Sequence, residues 1–117
     1  MNIHEKINYV EFPASNLEET KDFFTAVFNW KFADYGEEYI AFNDEGLNGG
    51  FFKSDKCSST TNGAALIVFY SQNIKETYTK IQNSSGTIVQ ETFTFPGGKR
   101  FHFTDPSGNE FAVWSDK

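Results

Sequence analysis

Few side chains in this sequence could take part directly in chemistry. There are two histidines, His4 and His102, and one cysteine, Cys57, so a histidine-rich metal cluster is not predicted. His4 lies in an N-terminal stretch that we expect to be solvated. His102 alternates with Phe101 and Phe103, which places it on the polar face of a strand, at a cleft or at the surface. Cys57 has no histidine close by, so it lacks the base that a nucleophilic cysteine needs.

Carboxylates spaced with aromatic rings are the more promising candidates. Tyr9 and Glu11 are separated by one residue in one predicted strand, and Glu110 and Trp114 belong to another. Because alternate side chains of a strand share a face, each pair is predicted to lie on one face. A carboxylate enclosed by apolar groups has a raised pKa, which suits acid–base chemistry.

Length and composition narrow the possible partners. A chain of 117 residues suits one domain, and its 14 phenylalanines can supply a core or line a pocket. Sixteen acidic and ten basic residues give a net charge of −6, so we predict no nucleic-acid partner. We also predict no membrane partner, because no apolar run approaches the roughly 20 residues that span a bilayer. The single cysteine and the lack of an apolar leader favour a cytoplasmic protein.

Caps and turns predict two units, each with one strand, one helix and three further strands. Asn16 and Asn73 are each followed three residues later by glutamate, a pattern typical of helix N-termini. Helices are predicted over 17–28 and 74–82, with Gly86 as the residue that stops the second. The predicted strands are 7–12 (ended by Pro13), 30–35, 38–43, 48–53, 65–70, 87–92, 100–104 and 110–115.

The two units align with one another. Asn16 to Thr20 matches Asn73 to Thr77, and the last strands align with Gly46 against Gly108. The polar stretch 54–63 lies between the halves. We therefore predict a single domain, 1–117, with unit one at about 5–53, a linker at 54–63 and unit two at about 64–116. The alternative is that an α+β protein shows this order of elements twice by chance.

Two strings carry a resemblance to a known superfamily. YVEFPASNLEETKDFFTAVFNW, residues 9–30, resembles the opening strand and helix of the vicinal oxygen chelate superfamily, which includes glyoxalase I, bleomycin resistance proteins and extradiol dioxygenases. FTDPSGNEFAVW, residues 103–114, resembles that family's closing hairpin. The resemblance implies an α+β fold in which two paired βαβββ units form a cleft between mixed or antiparallel sheets. It also implies a homodimer and, in catalytic members, one divalent metal ion in the cleft.

The metal ligands implied by the resemblance fall on unsuitable residues. They come from the first and last strand of each unit, at Tyr9, Gly50, Leu66 and Ala112. Leucine and alanine have no donor atom, and tyrosine binds metals mainly as the phenolate, although its ordinary pKa is near 10. A catalytic divalent site needs about three protein ligands. We therefore predict no metal and no other cofactor, which puts a glyoxalase reaction in doubt.

The resemblance and the alternation together predict a ligand cleft. The predicted ligand-binding residues are Tyr9, Glu11, Phe52, Leu66, Glu110 and Trp114, with Val68 beside them. Aromatic walls with a few polar groups are typical of a small-molecule pocket. The alternative is that the aromatic rings only fill the space that a metal would need. Glu11 is the polar group expected to orient a ligand, or else an exposed or ion-paired strand residue.

Three classes of function remain open. The first is a metal-independent small-molecule-binding protein of the glyoxalase/bleomycin-resistance type, with its ligand in an aromatic cleft. The second is a divergent glyoxalase-like lyase or isomerase that uses Glu11 or another acid. The third is a degenerate domain that serves as a subunit or interaction module. The missing metal ligands and abundant aromatic residues favour the first, and the catalytic residues stay undefined.

Overall fold

A computed structural model of the protein describes residues 2–117, which form two helices and two four-stranded sheets. The first unit contains β1 (Tyr9–Ala14), α1 (Leu17–Phe28), β2 (Phe32–Asp34), β3 (Tyr39–Glu45) and β4 (Leu47–Lys53). The second contains β5 (Ile67–Tyr70), α2 (Ile74–Gln82), β6 (Thr87–Phe95), β7 (Gly98–Thr104) and β8 (Glu110–Ser115). The predicted α+β class with paired βαβββ units is confirmed.

The two sheets share one mixed topology. Their strand orders are β1-β4-β3-β2 and β5-β8-β7-β6. In each sheet the first strand of the unit runs parallel to the last, and the remaining pairs are antiparallel. A short 3-10 helix, Thr60–Asn62, lies in the segment between β4 and β5. Neither helix in the described residues is long and apolar enough to cross a membrane.

Both helices begin where the asparagine caps predict. The side-chain oxygen of Asn16 accepts the backbone N–H of Glu19 at 3.0 Å, and Asn73 accepts that of Glu76 at 3.2 Å. Each bond satisfies one N–H group that the helix itself leaves unpaired. The first helix ends at Asn29, which adopts the left-handed conformation with φ 59°.

Two local predictions were wrong. The second helix spans Ile74–Gln82 as predicted, but its cap is Asn83, and Gly86 is not a left-handed residue that stops it. Gly86 is small for another reason, because a Cβ there would lie 2.8 Å from the ring of Phe23. The first strand runs through Pro13 instead of stopping before it. Proline is tolerated there because β1 is an edge strand with a neighbour on one side only.

The core lies where the two helices cover the sheets and is built mainly from phenylalanine. Phe24 of the first helix is fully buried and packs against rings of both units, including Phe51 at 5.3 Å and Phe111 at 5.6 Å between centroids. Such tilted and edge-on pairs contribute about 0.5–1.5 kcal/mol beyond the burial of their area. One side of each sheet is therefore covered, and the opposite sides stay open.

A buried polar contact joins the two units. The side-chain amide of Asn109 donates to the carbonyl of Pro13 at 2.7 Å and to the carboxylate of Asp105 at 3.0 Å, and its oxygen accepts the N–H of Ser58 at 2.8 Å. Every donor and acceptor of this fully buried side chain is thus used. The turn between β7 and β8 thereby holds the end of β1 and the linker in place.

Candidate functional site

The open faces of the two sheets carry the predicted site residues, except Leu66, which precedes β5. In the first sheet, Phe12, Ile40 and Phe51 point into the core, so their strand neighbours face outward. In the second sheet, Phe101, Phe103 and Phe111 do the same. The outward residues of interest are Tyr9, Glu11, Tyr39 and Phe52 in the first sheet, and Val68, Tyr70, Arg100, His102, Glu110 and Trp114 in the second.

Tyr39 organises the open face of the first sheet. Its hydroxyl donates to the carboxylate of Glu11 at 2.8 Å and lies 2.6 Å from the hydroxyl of Tyr9. Because Tyr39 has a single hydroxyl hydrogen, Tyr9 is the donor of the second bond. Burial, followed by the hydrogen bonds with Tyr9 and Glu11, raises the pKa of Tyr39 well above its usual range. This cluster therefore presents a neutral, hydrogen-bonded tyrosine beside an exposed carboxylate.

The metal positions implied by the resemblance do not fit a metal in the first unit. The ring of Tyr39 lies directly over Gly50, where an added Cβ would come within 2.2 Å of the tyrosine hydroxyl. Tyr39 thus fills the space next to Gly50 and engages Tyr9. In the second unit the corresponding Ala112 is fully buried and has no donor atom. Within residues 2–117, no three His, Cys, Asp or Glu side chains come together as a metal-ligand set.

The open face of the second sheet holds a histidine–carboxylate pair. The Nδ1 atom of His102 lies 2.8 Å from Oε2 of Glu110, and each side chain is only 12% exposed. The other carboxylate oxygen accepts the N–H of Thr60 at 2.9 Å and its hydroxyl at 2.7 Å. Burial favours the neutral acid, but the bonds from His102 and Thr60 outweigh it and lower the pKa of Glu110. The residue is therefore an ionised, fully engaged acceptor.

Strand register brings His102 and Glu110 together. His102 pairs with Ala112 and Thr104 pairs with Glu110, so His102 and Glu110 are diagonal neighbours on one face. Thr60 arrives from the linker, which is tied down because the N–H of Glu110 donates to the carbonyl of Ser58 at 2.7 Å. The segment predicted to be a mere linker thus forms one wall of this site.

The side-chain nitrogen atoms of His102 and Arg100 determine which hydrogen bonds the open face of the second sheet can offer. An ionised Glu110 only accepts, so Nδ1 of His102 donates a hydrogen to it, and Nε2 is the remaining ring nitrogen. This Nε2 atom is buried without a hydrogen-bond partner, as is Nε of Arg100. The guanidinium of Arg100 lies 5.4 Å from the ring centroid of Phe93, a cation–π contact.

Trp114 and Leu66 occupy separate surroundings. Trp114 packs edge-on against Tyr70, with ring centroids 5.2 Å apart, and lies 6.3 Å from Phe95. Leu66 lines an apolar groove of about 760 Å³ between the β1 and β5 edges, which also includes Val68. Among residues 2–117, no side-chain hydrogen bond joins the Tyr39 cluster to the His102 pair.

Sequence reasoning found some of these residues and missed others. Glu11 is exposed rather than enclosed, and its partner is the Tyr39 hydroxyl instead of a basic side chain. Tyr39, Thr60 and Arg100 were not predicted. The signal that could have found Tyr39 is Gly50, because a glycine in the middle of a strand indicates that something approaches the backbone closely.

The fold and the sequence both match known proteins. A family model described as the Glyoxalase/Bleomycin resistance protein/Dioxygenase superfamily matches residues 6–113. No curated protein matches the sequence significantly.

Solved structures with similar folds come from several bacteria. A genomically encoded fosfomycin resistance protein from Listeria monocytogenes has a TM-score of 0.78 at 18% identity, covering 97% of this chain and 94% of that one. A glyoxalase-related enzyme from Fulvimarina pelagi has 0.78 at 13%, with 95% and 88% covered. A lactoylglutathione lyase from Agrobacterium tumefaciens has 0.71 at 17%, with 95% and 93% covered. At these identities the likeness shows the fold alone.

Proposed function

The chain belongs to the Glyoxalase/Bleomycin resistance protein/Dioxygenase superfamily, and we propose that it is a metal-independent protein that binds a small molecule against the open faces of its sheets. The observation that carries the proposal is the exposed apolar surface on these faces. Tyr9 is 44% exposed, Phe52 39% and Tyr70 50%. Exposed rings beside a few hydrogen-bonded polar groups are typical of a ligand site.

The absence of suitable donors supports metal independence. Tyr39 covers Gly50, and neither Leu66 nor Ala112 has an atom that can bind a metal. Binding would then rest on aromatic contact and on hydrogen bonds to the polar groups of the two faces. Trp114 supplies a broad apolar wall and one N–H donor, and the exposed carboxylate of Glu11 supplies acceptors. A ligand of the Glu11 region would present a hydroxyl, an amine or an amide N–H.

A homodimer is part of this proposal. In a single copy the apolar side chains of both open faces remain uncovered, including Val68, which is 43% exposed. A second copy could cover them and complete one cleft from the two kinds of face, which would bring Tyr9, Glu11 and Trp114 together. We expect twice the chain mass in sedimentation equilibrium. The proposal includes a cytoplasmic location, because the single cysteine, Cys57, is a free and exposed thiol that suits a reducing compartment.

Ligand-induced thermal stabilisation tests the binding proposal. A ligand at 100 times its dissociation constant stabilises the native state by about 2.7 kcal/mol, so a library of small aromatic compounds should yield clear shifts. Trp114→Ala should abolish the shift of a compound found in this way, and Glu11→Gln should weaken it. Tyr35→Ala, at another exposed aromatic residue, is the matched control and should leave the shift unchanged. A library without any hit would leave an interaction module as the better description.

A lyase or isomerase is the second candidate, favoured by the contact between His102 and Glu110. The carboxylate orients the ring so that Nε2 can accept a proton from a substrate. It ranks second because Nε2 is buried, and the ring centroids of Phe93 and His102 are 6.1 Å apart, so the neighbouring side chains must move before a substrate reaches Nε2. Deuterium incorporation beside the carbonyl of small 2-oxo acids would reveal this activity. It should disappear in His102→Gln and persist in His4→Gln.

A further inference from the structure

A pocket of about 460 Å³ opens on the second sheet between the linker turn and strands β6 and β7. Its polar wall comes from hydroxyl, amide and basic groups, and its apolar wall from two exposed side chains of β6. The lining residues that matter here are Thr60, Val89, Phe93, Arg100, His102 and Glu110. Val89 is 51% exposed and Phe93 is 37% exposed, so the apolar wall is uncovered.

The charges in this pocket are not balanced. Glu110 is its only acidic residue, and both of its oxygens are already bound by His102 and Thr60. In the part of the chain that the structure describes, no carboxylate forms an ion pair with Arg100. The chain has 16 acidic and ten basic residues, so a half-buried arginine without an acidic partner is unexpected. An unpaired, partly desolvated cation is costly unless a ligand supplies the opposite charge.

We propose that this pocket binds a small organic carboxylate, whose anionic group pairs with Arg100 and whose apolar part lies on Val89 and Phe93. The planar guanidinium matches a carboxylate with two parallel hydrogen bonds. Contact with Phe93 holds that guanidinium in place beforehand. The proposal deepens the proposed function, on which it rests, by naming the class of ligand.

The pocket offers one full positive charge, which favours a monoanion over a phosphate dianion. Arg100 is the source of this charge, since the Nδ1 atom of His102 is committed to Glu110. Cationic ligands are disfavoured because the only carboxylate is engaged. Lys99, the neighbour of Arg100, lines a different depression beside α2, so its charge does not enter this pocket.

Benzoate and benzamide form a matched pair of probes, because they have nearly the same shape and differ in charge. Titration of the labelled protein, followed by amide and arginine Nε–H resonances, should show benzoate binding about tenfold tighter than benzamide, a difference of 1.4 kcal/mol. The largest shifts should fall at Arg100, Thr60 and Val89. Arg100→Gln should remove the preference for benzoate. Lys99→Gln makes the same change in net charge and should preserve it.

The outcomes separate this inference from the proposed function. Equal binding of the two probes, no binding of benzoate, or an equal effect of Lys99→Gln and Arg100→Gln would overturn the carboxylate site. The dispersion of the amide spectrum shows whether Arg100→Gln folds. If Arg100→Gln does not fold, Arg100→Lys replaces it in the test. Arg100→Lys keeps the charge but loses the planar guanidinium, so it should lower the affinity for benzoate. If neutral aromatic compounds bind with shifts at Trp114, the proposed function stands without this inference. If no compound of any class binds, both fail.

Discussion

The two units have one backbone plan and opposite chemistry on their open faces. Tyr39 pairs with Phe52 across the first sheet, and Arg100 pairs with Trp114 at the matching place in the second. One step along, Ala41 pairs with Gly50, where the second unit pairs His102 with Ala112. The first face thus carries a neutral tyrosine beside an exposed acid, and the second carries a cation near a half-buried, fully engaged acid.

This difference shows that the repeated fold restricts the residue types on the covered face of each sheet much more than those on the open face. Inward residues such as Phe42 and Phe103 must fill one common core, so both units keep large apolar groups there. Outward residues only have to satisfy their own hydrogen bonds. The open faces could therefore diverge without loss of the fold, and function has to be read from each face separately.

The largest expected effect comes from adding a methyl group at Gly49, where the second unit has Phe111. A Cβ there would lie 2.4 Å from the backbone carbonyl of Val10, which cannot move without disturbing the pairing of β1 with β4. We expect Gly49→Ala to lower the free energy of unfolding by about 3 kcal/mol in urea denaturation. Gly50→Ala is the control and should cost about 1 kcal/mol, because the Tyr39 side chain can turn away. Equal losses of unfolding free energy in the two variants would mean that β1 can shift away from β4 at little cost.

The turn between β7 and β8 should make the stability of the protein depend on pH. Burial raises the pKa of Asp105, in this turn, from 3.8 to about 6 despite the N–H groups that bind it. A raised carboxyl pKa adds stability that is fully present below about pH 3.8 and lost as the pH rises through about 6. The contribution is about 3 kcal/mol at most.

Two measurements check this pH dependence. The side-chain carboxyl resonance of Asp105 should titrate with a midpoint near 6. The difference in unfolding free energy between the wild type and Asp105→Asn should shrink or change sign between pH 4 and pH 7, since the variant lacks the titrating group. A midpoint near the ordinary value would show that the bound N–H groups fully offset the effect of burial.

The two glutamates should respond differently to loss of charge. Glu110→Gln removes an ionised acceptor from His102 and Thr60 and should cost about 1–2 kcal/mol in unfolding free energy. Glu11→Gln changes an exposed residue and should cost under about 0.5 kcal/mol. Chemical denaturation at neutral pH measures both. A larger loss of unfolding free energy in Glu11→Gln than in Glu110→Gln would mean that the acid of the first face, and not that of the second, contributes more to stability.

The smallest effect is expected for the hydroxyl of Tyr39. Tyr39→Phe removes two hydrogen bonds but keeps the ring over Gly50, so it should cost about 0.5–1.5 kcal/mol. Tyr35→Phe, at an exposed ring, is the control and should change little. An unchanged stability in both variants would mean that packing over the glycine, and not hydrogen bonding, holds Tyr39.

The fold could be predicted from the sequence because its signals are local. The caps Asn16 and Asn73 define the helices, and alternation defines which strand residues face inward. The site could be predicted only in part, since its contacts join residues that are distant in the chain. No local sequence pattern predicts that Thr60 binds Glu110, 50 residues later, or that Tyr39 binds Glu11. Such pairs depend on strand register and on where the linker lies.

The anchored linker changes how the protein could be divided. Ser58 and Thr60 are bound to Asn109 and Glu110, so this segment belongs to the second unit although it follows the first in the chain. A polypeptide cut just after Ser54 would keep the bond from the Ser54 N–H to the carbonyl of Ala14 on the first fragment and the contacts of Ser58 and Thr60 on the second. A cut after Asn62 would carry the wall of the histidine site away on the wrong piece. The boundary between the two units, and the place to divide the chain for fusion or fragment complementation, therefore lies at the start of the linker.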